Sequence, residues 1–256
     1  MGAITVKTVA IVLAGGSGKR MGTAIPKQYL IIKEKPILYY SLKAFEDSSV
    51  DEIILVTSEN DIDFCKNEII NKYGLKKIVS IVSGGSERYL SVYNGLKATK
   101  DADYVLIHDG ARPFITTAII ESSIIDVFKY KACVVGVPSK DTVKIVNSNN
   151  EVISTPDRKN VWNIQTPQSF SYELIYNAYE AVMKNFYNKE NNFTETEVEY
   201  SCCNVNATKD IIITDDAMVV EMTLQSPIHV TLGSYTNIKI TTIDDLKLGE
   251  VLIESN

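Results

Sequence analysis

The chain is poor in the residues that build metal centres and oxidised scaffolds. It has two histidines, His108 and His229, and four cysteines, Cys65, Cys133, Cys202 and Cys203. No Cys-x-x-Cys pair occurs and no Cys/His spacing suits a zinc site. The same scarcity fits a reducing cytoplasm better than a disulfide-stapled secreted domain. Long apolar runs are missing too. The first one, ending at Leu13, is too short to cross a bilayer and runs into glycines instead of a signal cleavage site. Nor is there an excess of positive charge. Lysines and arginines number 26 against 32 aspartates and glutamates, a formal charge of −6, which argues against a general nucleic-acid or membrane-surface binder. Any basic site must be a local cluster in an acidic protein. No internal repeat or clean domain boundary is visible. With 45% apolar residues the chain can bury a large core, so 1–256 reads as a single domain.

Glycine, by contrast, is concentrated where it matters. In Val9–Lys27, an apolar run to Leu13 breaks into Ala14, Gly15, Gly16, Gly18 and Gly22, with Lys19, Arg20 and Lys27 close behind. Glycines allow positive φ and close backbone approach to a ligand. Curled backbone N–H groups make an anion-binding concavity, and added cations suit several phosphates at once. Two familiar phosphate loops are excluded. For a P-loop, Leu13 stands where the first glycine should be and Arg20 where the hydroxyl should be. For the dinucleotide fingerprint, Met21 occupies the place of the third glycine.

Short Val/Ile-rich runs at Val6–Leu13, Glu52–Thr57, Lys77–Val82, Tyr104–His108 and Ala132–Val137 alternate with helical patterns near Pro36–Glu46, Asn60–Tyr73, Glu87–Thr99 and Thr116–Tyr130. This predicts an α/β fold: a Rossmann-like domain with a mostly parallel central sheet and helices on both faces. Ligands should then bind beyond the carboxyl ends of the strands. After the third strand comes a second glycine turn, Ser83–Ser91, where Gly85 permits close approach and Ser86 or Ser91 can hydrogen-bond a base or sugar. After the fourth comes His108-Asp109-Gly110-Ala111-Arg112, whose Asp and Arg suit metal-phosphate chemistry.

Beyond residue 138 the pattern changes. Asp141–Val146 and Glu151–Thr155 flank an Asn-rich turn and predict a protruding β-hairpin arm carrying Thr142, Lys144 and, at its base, Arg158. Gln165-Thr166-Pro167-Gln168 reads as extended, since Pro167 blocks helix. Helix is expected at Tyr172–Phe186, an exposed polar loop at Asn188–Glu199, a capped helix from Thr214, a strand at Ile228–Leu232 and a last helix at Ile243–Ile253. Thr242 with Asp245 imitates a capping box.

Seven motifs then occur in a telling order: LAGGSGKRMG…PKQY, GGSERYLSV, HDGARPF, DTVK, TPDR…W…QTPQSF, TDDAMVVE and NIKITT. In that order they resemble the 2-C-methyl-D-erythritol 4-phosphate cytidylyltransferases, the third enzymes of the non-mevalonate route to isoprenoids. The ribitol 5-phosphate cytidylyltransferases are the nearest alternative. The resemblance implies that substrate phosphate attacks the α-phosphorus of CTP in line and pyrophosphate leaves. It assigns Arg20, Lys27 and Lys239 to charge stabilisation, and Ala14, Gly15, Gly16, Gly18, Gly85, Ser86, Ser91 and Asp109 to CTP. It assigns Asp109, Arg112, Thr142, Arg158 and Thr166 to the polyol phosphate. Mg²⁺ is expected, held mainly by phosphates, with Asp109 the nearest protein group. The arm, 139–160, would cross to a second subunit in a homodimer with composite sites, Arg158 entering the partner's catalytic machinery. No nucleic acid or membrane is expected as a partner. Residues 188–211 look like a surface insertion, and Thr236 stands where some members carry an acid.

Overall fold

The computed structural model describes residues 6–16, 25–190 and 212–254. Its strands are β1 (Thr8–Leu13), β2 (Ile31–Ile32), β3 (Lys35–Pro36), β4 (Glu52–Thr57), β5 (Ile78–Ser83), β6 (Tyr104–Asp109), β7 (Ala132–Pro138), β8 (Ile145–Val146), β9 (Val152–Ser154), β10 (Trp162–Ser171) and β11 (His229–Leu232). The helices are α1 (Ile37–Glu46), α2 (Ile62–Phe64), α3 (Arg88–Ala98), α4 (Thr117–Tyr130), α5 (Tyr172–Glu190), α6 (Asp216–Leu224) and α7 (Ile243–Glu254). Seven strands form one sheet in the order β11-β7-β10-β6-β1-β4-β5.

Alternation along each buried strand explains why helices cover both faces. On one face Ala10, Val12, Ile53, Leu55 and Leu106 pack against α1 and α4 through Leu38, Leu42, Ile120 and Ile124. Their neighbours in sequence, Val9, Ile11, Ile54, Val56, Val105 and Ile107, point the other way, against Val92 and Leu96 of α3 and Ile175 and Tyr179 of α5. Successive side chains in a strand face opposite sides, so apolar runs with no polar alternation require two covered faces. A smaller cluster of Ile32, Ile37, Phe114 and Ile240 anchors the segment before α7.

The strand order reverses at β1, which lies between β4 and β6. A crevice opens at such a point, outside the carboxyl ends of the strands. Here it lies between the loop after β1 and the loop after β6. Gly110 lets the two ends close together. Its N–H donates to the Leu13 carbonyl at 2.8 Å, and a Cβ there would sit 2.9 Å from that same oxygen.

Three local features depart from expectation. The extended QTPQ segment is part of β10, which lies in the middle of the sheet and runs antiparallel to both β6 and β7. Pro167 has no N–H to donate, and the pairing with β7 shifts register between Ile164 and Gln168. The helix expected over Asn60–Tyr73 is a 3-10 turn, the short α2 and a π-helical turn at Cys65–Asn71, which seats Cys65 and Ile69 in the core. α5 continues past Phe186 to Glu190, through the first residues of the predicted exposed loop. The rest of that loop, and most of the predicted insertion 188–211 with Cys202 and Cys203, lies outside the described residues.

The predicted hairpin is present as β8 paired antiparallel with β9, outside the main sheet. The last helix begins with the predicted reciprocal cap. Asp245 accepts from the Thr242 N–H at 2.8 Å, and Thr242 Oγ1 accepts from the Asp245 N–H at 3.3 Å. Among the described residues no helix is long and apolar enough to cross a membrane.

Candidate active site

A cavity of about 360 Å³ occupies the crevice. It brings together residues separated by more than two hundred positions: Ala14, Gly15 and Gly16 after β1, Lys27, then Gly85, Ser86 and Ser91, then Asp109 and, from the last segment, Lys239. Gly18, Lys19 and Arg20 lie outside the described residues. Neither Gly15 nor Gly16 takes positive φ, against the sequence expectation; among the described residues a Cβ on Gly16 would meet nothing within 4 Å. Gly85 does need to be glycine. A Cβ there would come within 2.3 Å of Leu90 Cβ, because the turn folds back on the first turn of α3. Ser91 closes this turn: its Oγ accepts from the Gly85 N–H at 3.0 Å and donates to the Glu87 carbonyl at 3.1 Å.

Asp109 ends β6 at the cavity wall and is surrounded by cations. Oδ2 accepts from Lys239 Nζ at 2.7 Å and Oδ1 from Arg88 Nε at 3.3 Å, while Arg112 Nε lies 3.9 Å from Oδ2. Burial pushes its pKa upward, but the charges of Arg88, Lys239 and Arg112 override burial and hold the carboxyl well below the usual range. Lys239 reaches this position because its neighbours are anchored. Ile240 is fully buried, its N–H donates to the Ala111 carbonyl at 2.8 Å, and its carbonyl accepts from Lys27 Nζ at 2.9 Å.

Behind Asp109 a neutral relay fixes the loop. The Asp109 N–H donates to Thr166 Oγ1 at 3.1 Å. The Arg112 carbonyl can only accept, so the His108 ring carries its hydrogen on Nε2, 3.3 Å away. That leaves Nδ1 to accept from Thr166 Oγ1 at 3.0 Å. Burial drives the His108 pKa down to about 3, so the ring is a neutral structural element with no exposure to the cavity. Thr166, predicted to hold substrate, is itself 4% exposed and committed to this relay. Arg112 is similarly placed in the second rank, donating from Nη1 to the Asn237 carbonyl at 2.9 Å. Thr142 and Arg158 do not line the cavity. They meet each other on the arm, where Arg158 Nη2 donates to Thr142 Oγ1 at 2.9 Å. Thr236 lies exposed, its hydroxyl 2.7 Å from that of Ser234.

Several residues at the site escaped sequence reasoning. Gln28, in the quoted PKQY, is 2% exposed and donates from Nε2 to the Ala14 carbonyl at 2.5 Å, occupying one lone pair of an oxygen expected to face the nucleotide. Arg88 lines the cavity and forks onto Asp216, the first residue of α6. The signal was present in GGSER and TDDA, a cation in one glycine turn and a doubled acid at a helix start. The pairing itself spans 128 residues, so no local pattern reports it.

For a divalent metal the donor set is telling. Among the described residues no group of three or more His, Cys, Asp or Glu side chains could hold an ion. Asp109 offers one carboxylate, already shared by cations. That suits a Mg²⁺ carried on phosphate oxygens and water, and does not suit an all-protein cage.

The chain is similar to known proteins over nearly its whole length. A family model described as 2-C-methyl-D-erythritol 4-phosphate cytidylyltransferase matches residues 8–196. A protein of that name from Lachnoclostridium phytofermentans is 48% identical over 250 residues, covering 98% of this chain and 97% of its own length. Another of that name, from Alkaliphilus oremlandii, is 45% identical, with 97% of this chain and 96% of its own covered. Among solved structures, a 4-diphosphocytidyl-2C-methyl-D-erythritol synthase from Anaerococcus prevotii superposes with a TM-score of 0.78 at 32% identity, covering 97% of this chain and 99% of its own.

Proposed function

Starting from the fact that the chain belongs to the 2-C-methyl-D-erythritol 4-phosphate cytidylyltransferase family, we propose that it joins CTP to 2-C-methyl-D-erythritol 4-phosphate. The products are 4-diphosphocytidyl-2-C-methyl-D-erythritol and pyrophosphate. The observation that carries this reading is the Asp109–Lys239 pair at 2.7 Å on the wall of a glycine-lined cavity, beside Arg88 and Lys27. A phosphate monoester is already an anion at neutral pH, so the attacking oxygen needs no general base. This accords with a site whose one nearby histidine is buried and neutral. Catalysis then rests on positioning and on stabilising negative charge at the α-phosphorus.

In this reading Lys27, with Arg20, holds the triphosphate, and Lys239 neutralises the α-phosphate as the substrate oxygen attacks in line. Ala14–Gly16, Gly85 and Ser86 receive the cytosine, Gly18 the phosphates, and Ser91 and Asp109 lie towards the ribose and phosphates. Asp109 borders the polyol phosphate, with Arg112 and Thr166 supporting it from behind. A Mg²⁺ held by phosphate oxygens, water and Asp109 would supply charge neutralisation of the leaving pyrophosphate. The arm completes a partner's site in a cytoplasmic homodimer through Thr142 and Arg158. Support for that comes from its exposure: Ile145, Val146, Val152 and Ile153 are all at least half exposed on an isolated two-stranded ribbon. Such ribbons are marginal without a packed face, so a second copy would bury them.

The test is pyrophosphate release from CTP with each polyol phosphate. Turnover is expected with methylerythritol phosphate. Turnover with ribitol 5-phosphate alone would sink the assignment of acceptor.

A further inference from the structure

The buried carboxylate of Asp216 has no part in the roles above. It is fully buried and does not line the cavity, yet it forms an ion pair with Arg88. A buried charge is tolerated when it is paired and hydrogen-bonded. Here Arg88 Nη1 donates to Oδ1 at 2.9 Å and Nη2 to Oδ2 at 2.8 Å, and Tyr179 on α5 donates its hydroxyl to Oδ1 at 2.6 Å. The backbone under Asp216 is held as firmly. Gln168 of β10 accepts from the Asp216 and Ala217 N–H groups, both at 3.0 Å, and donates to Asp215 at 2.9 Å. Asp215 in turn caps α6 by accepting from the Met218 N–H at 3.0 Å.

This fastening uses two edges of one planar guanidinium. The two terminal nitrogens are fixed on Asp216, which leaves Nε aimed at Asp109 Oδ1. A guanidinium forked in this way cannot turn independently of its carboxylate. Asp109 then carries Lys239 on its other oxygen. A continuous chain of charge-assisted contacts therefore runs from the start of α6 to the cavity wall.

We propose that Asp216 and Tyr179 are positioning residues that, by clamping Arg88, set the orientation of Asp109 and so place Lys239 to neutralise the α-phosphate while the substrate oxygen attacks. The proposal rests on the cytidylyltransferase reading for its kinetic consequence and on geometry alone for its structural one. Both are measured on the full-length protein. Asp216→Asn should lower kcat by about 10- to 100-fold, the scale of a small misplacement of a reacting group. KM for CTP should change less than about threefold, as for an interaction used in the transition state. Tyr179→Phe, which removes one hydroxyl and is the milder change, should lower kcat by about threefold. It also serves if Asp216→Asn does not fold. Arg88→Lys keeps the charge but not the fork, and should behave like Asp216→Asn. A crystal structure of Tyr179→Phe or Asp216→Asn should show Arg88 turned away from Asp109 and the Lys239–Asp109 contact altered. Folded variants with lowered melting temperature but kcat within twofold of the parent would overturn the proposal, making Asp216 a fastening for α6 only. An unmoved Lys239–Asp109 pair would do the same. A parent protein with no CTP turnover would sink the cytidylyltransferase reading, while the variant structures would still decide the clamp.

Discussion

The cavity wall and the arm are built on opposite principles. Around Asp109, the contacts are made within one chain: Lys239 and Arg88 hydrogen-bond the carboxylate, Arg112 Nε lies 3.9 Å from it, Thr166 holds the backbone and His108 lies behind. The arm is a ribbon of two and three residues whose apolar side chains face solvent and whose Arg158 donates to Thr142. The first region is over-determined by a single copy, as preorganised electrostatic catalysis requires. The second is under-determined, which is the expected condition of a segment completed by another molecule.

Substitutions at the cavity wall should have the largest effect. Lys239→Ala should cost about 10²- to 10³-fold in kcat, the scale of losing one charge-stabilising donor. Pyrophosphate release measures it, and a loss under tenfold would remove Lys239 from the chemistry. On the arm, Ile153→Asp should shift the protein to monomer in sedimentation and lower activity by about tenfold or more. The melting temperature of the sheet domain should barely move, because exposed substitutions usually lie within about 0.5 kcal/mol. A dimer that survives this change would refute the apolar seam. Mixing Arg158→Ala with Lys239→Ala protein should restore part of the activity if sites are shared. Proven heterodimers with no rescue would show that each site is complete in one chain.

Smaller effects probe the supports. His108 has a folded-state pKa of about 3 against an ordinary 6.5. Between those values the unfolded chain binds the extra proton, so stability is present above about 6.5 and falls as pH drops, by roughly 1.4 kcal/mol per unit for one proton. His108→Gln should flatten that slope in denaturant titrations between pH 6.5 and 4. An unchanged slope would mean that the ring is not kept neutral. Asp245→Ala removes the cap of α7 and should cost about 1 kcal/mol, seen as a modest fall in melting temperature. No measurable fall would mean the cap is redundant with the packing of α7.

Much of the architecture was legible because it is written locally. The β1, β4, β6 and β7 runs and the α1, α3 and α4 patterns carry their own apolar spacing, and their observed ends lie within two residues of expectation. The capping box of α7 was readable from two residues. QTPQ was readable as extended but not as a central antiparallel strand, because strand neighbours are chosen by sheet assembly, not by the strand. The π-helical turn at Cys65–Asn71 has no periodicity that separates it from an α-helix. At the site, Gly15, Gly85, Asp109, Lys27 and Lys239 were found from motifs, and the structure places them around one cavity. Gln28, Arg88 and Asp216 were not, since a buried polar group is recognised by its partner and the partners lie far away in sequence.

The amino-acid order alone encodes a two-faced parallel core, the loops that end its strands, and a family signature spread across them. Local apolar periodicity and glycine placement suffice for that. The electrostatics arise from the folded arrangement. Lys239 is held on Asp109, Asp109 faces Arg88, and Arg88 is forked onto Asp216 at the start of α6. Charge pairing in a buried site depends on distance in space, and a few ångströms separate groups that the chain keeps more than a hundred residues apart.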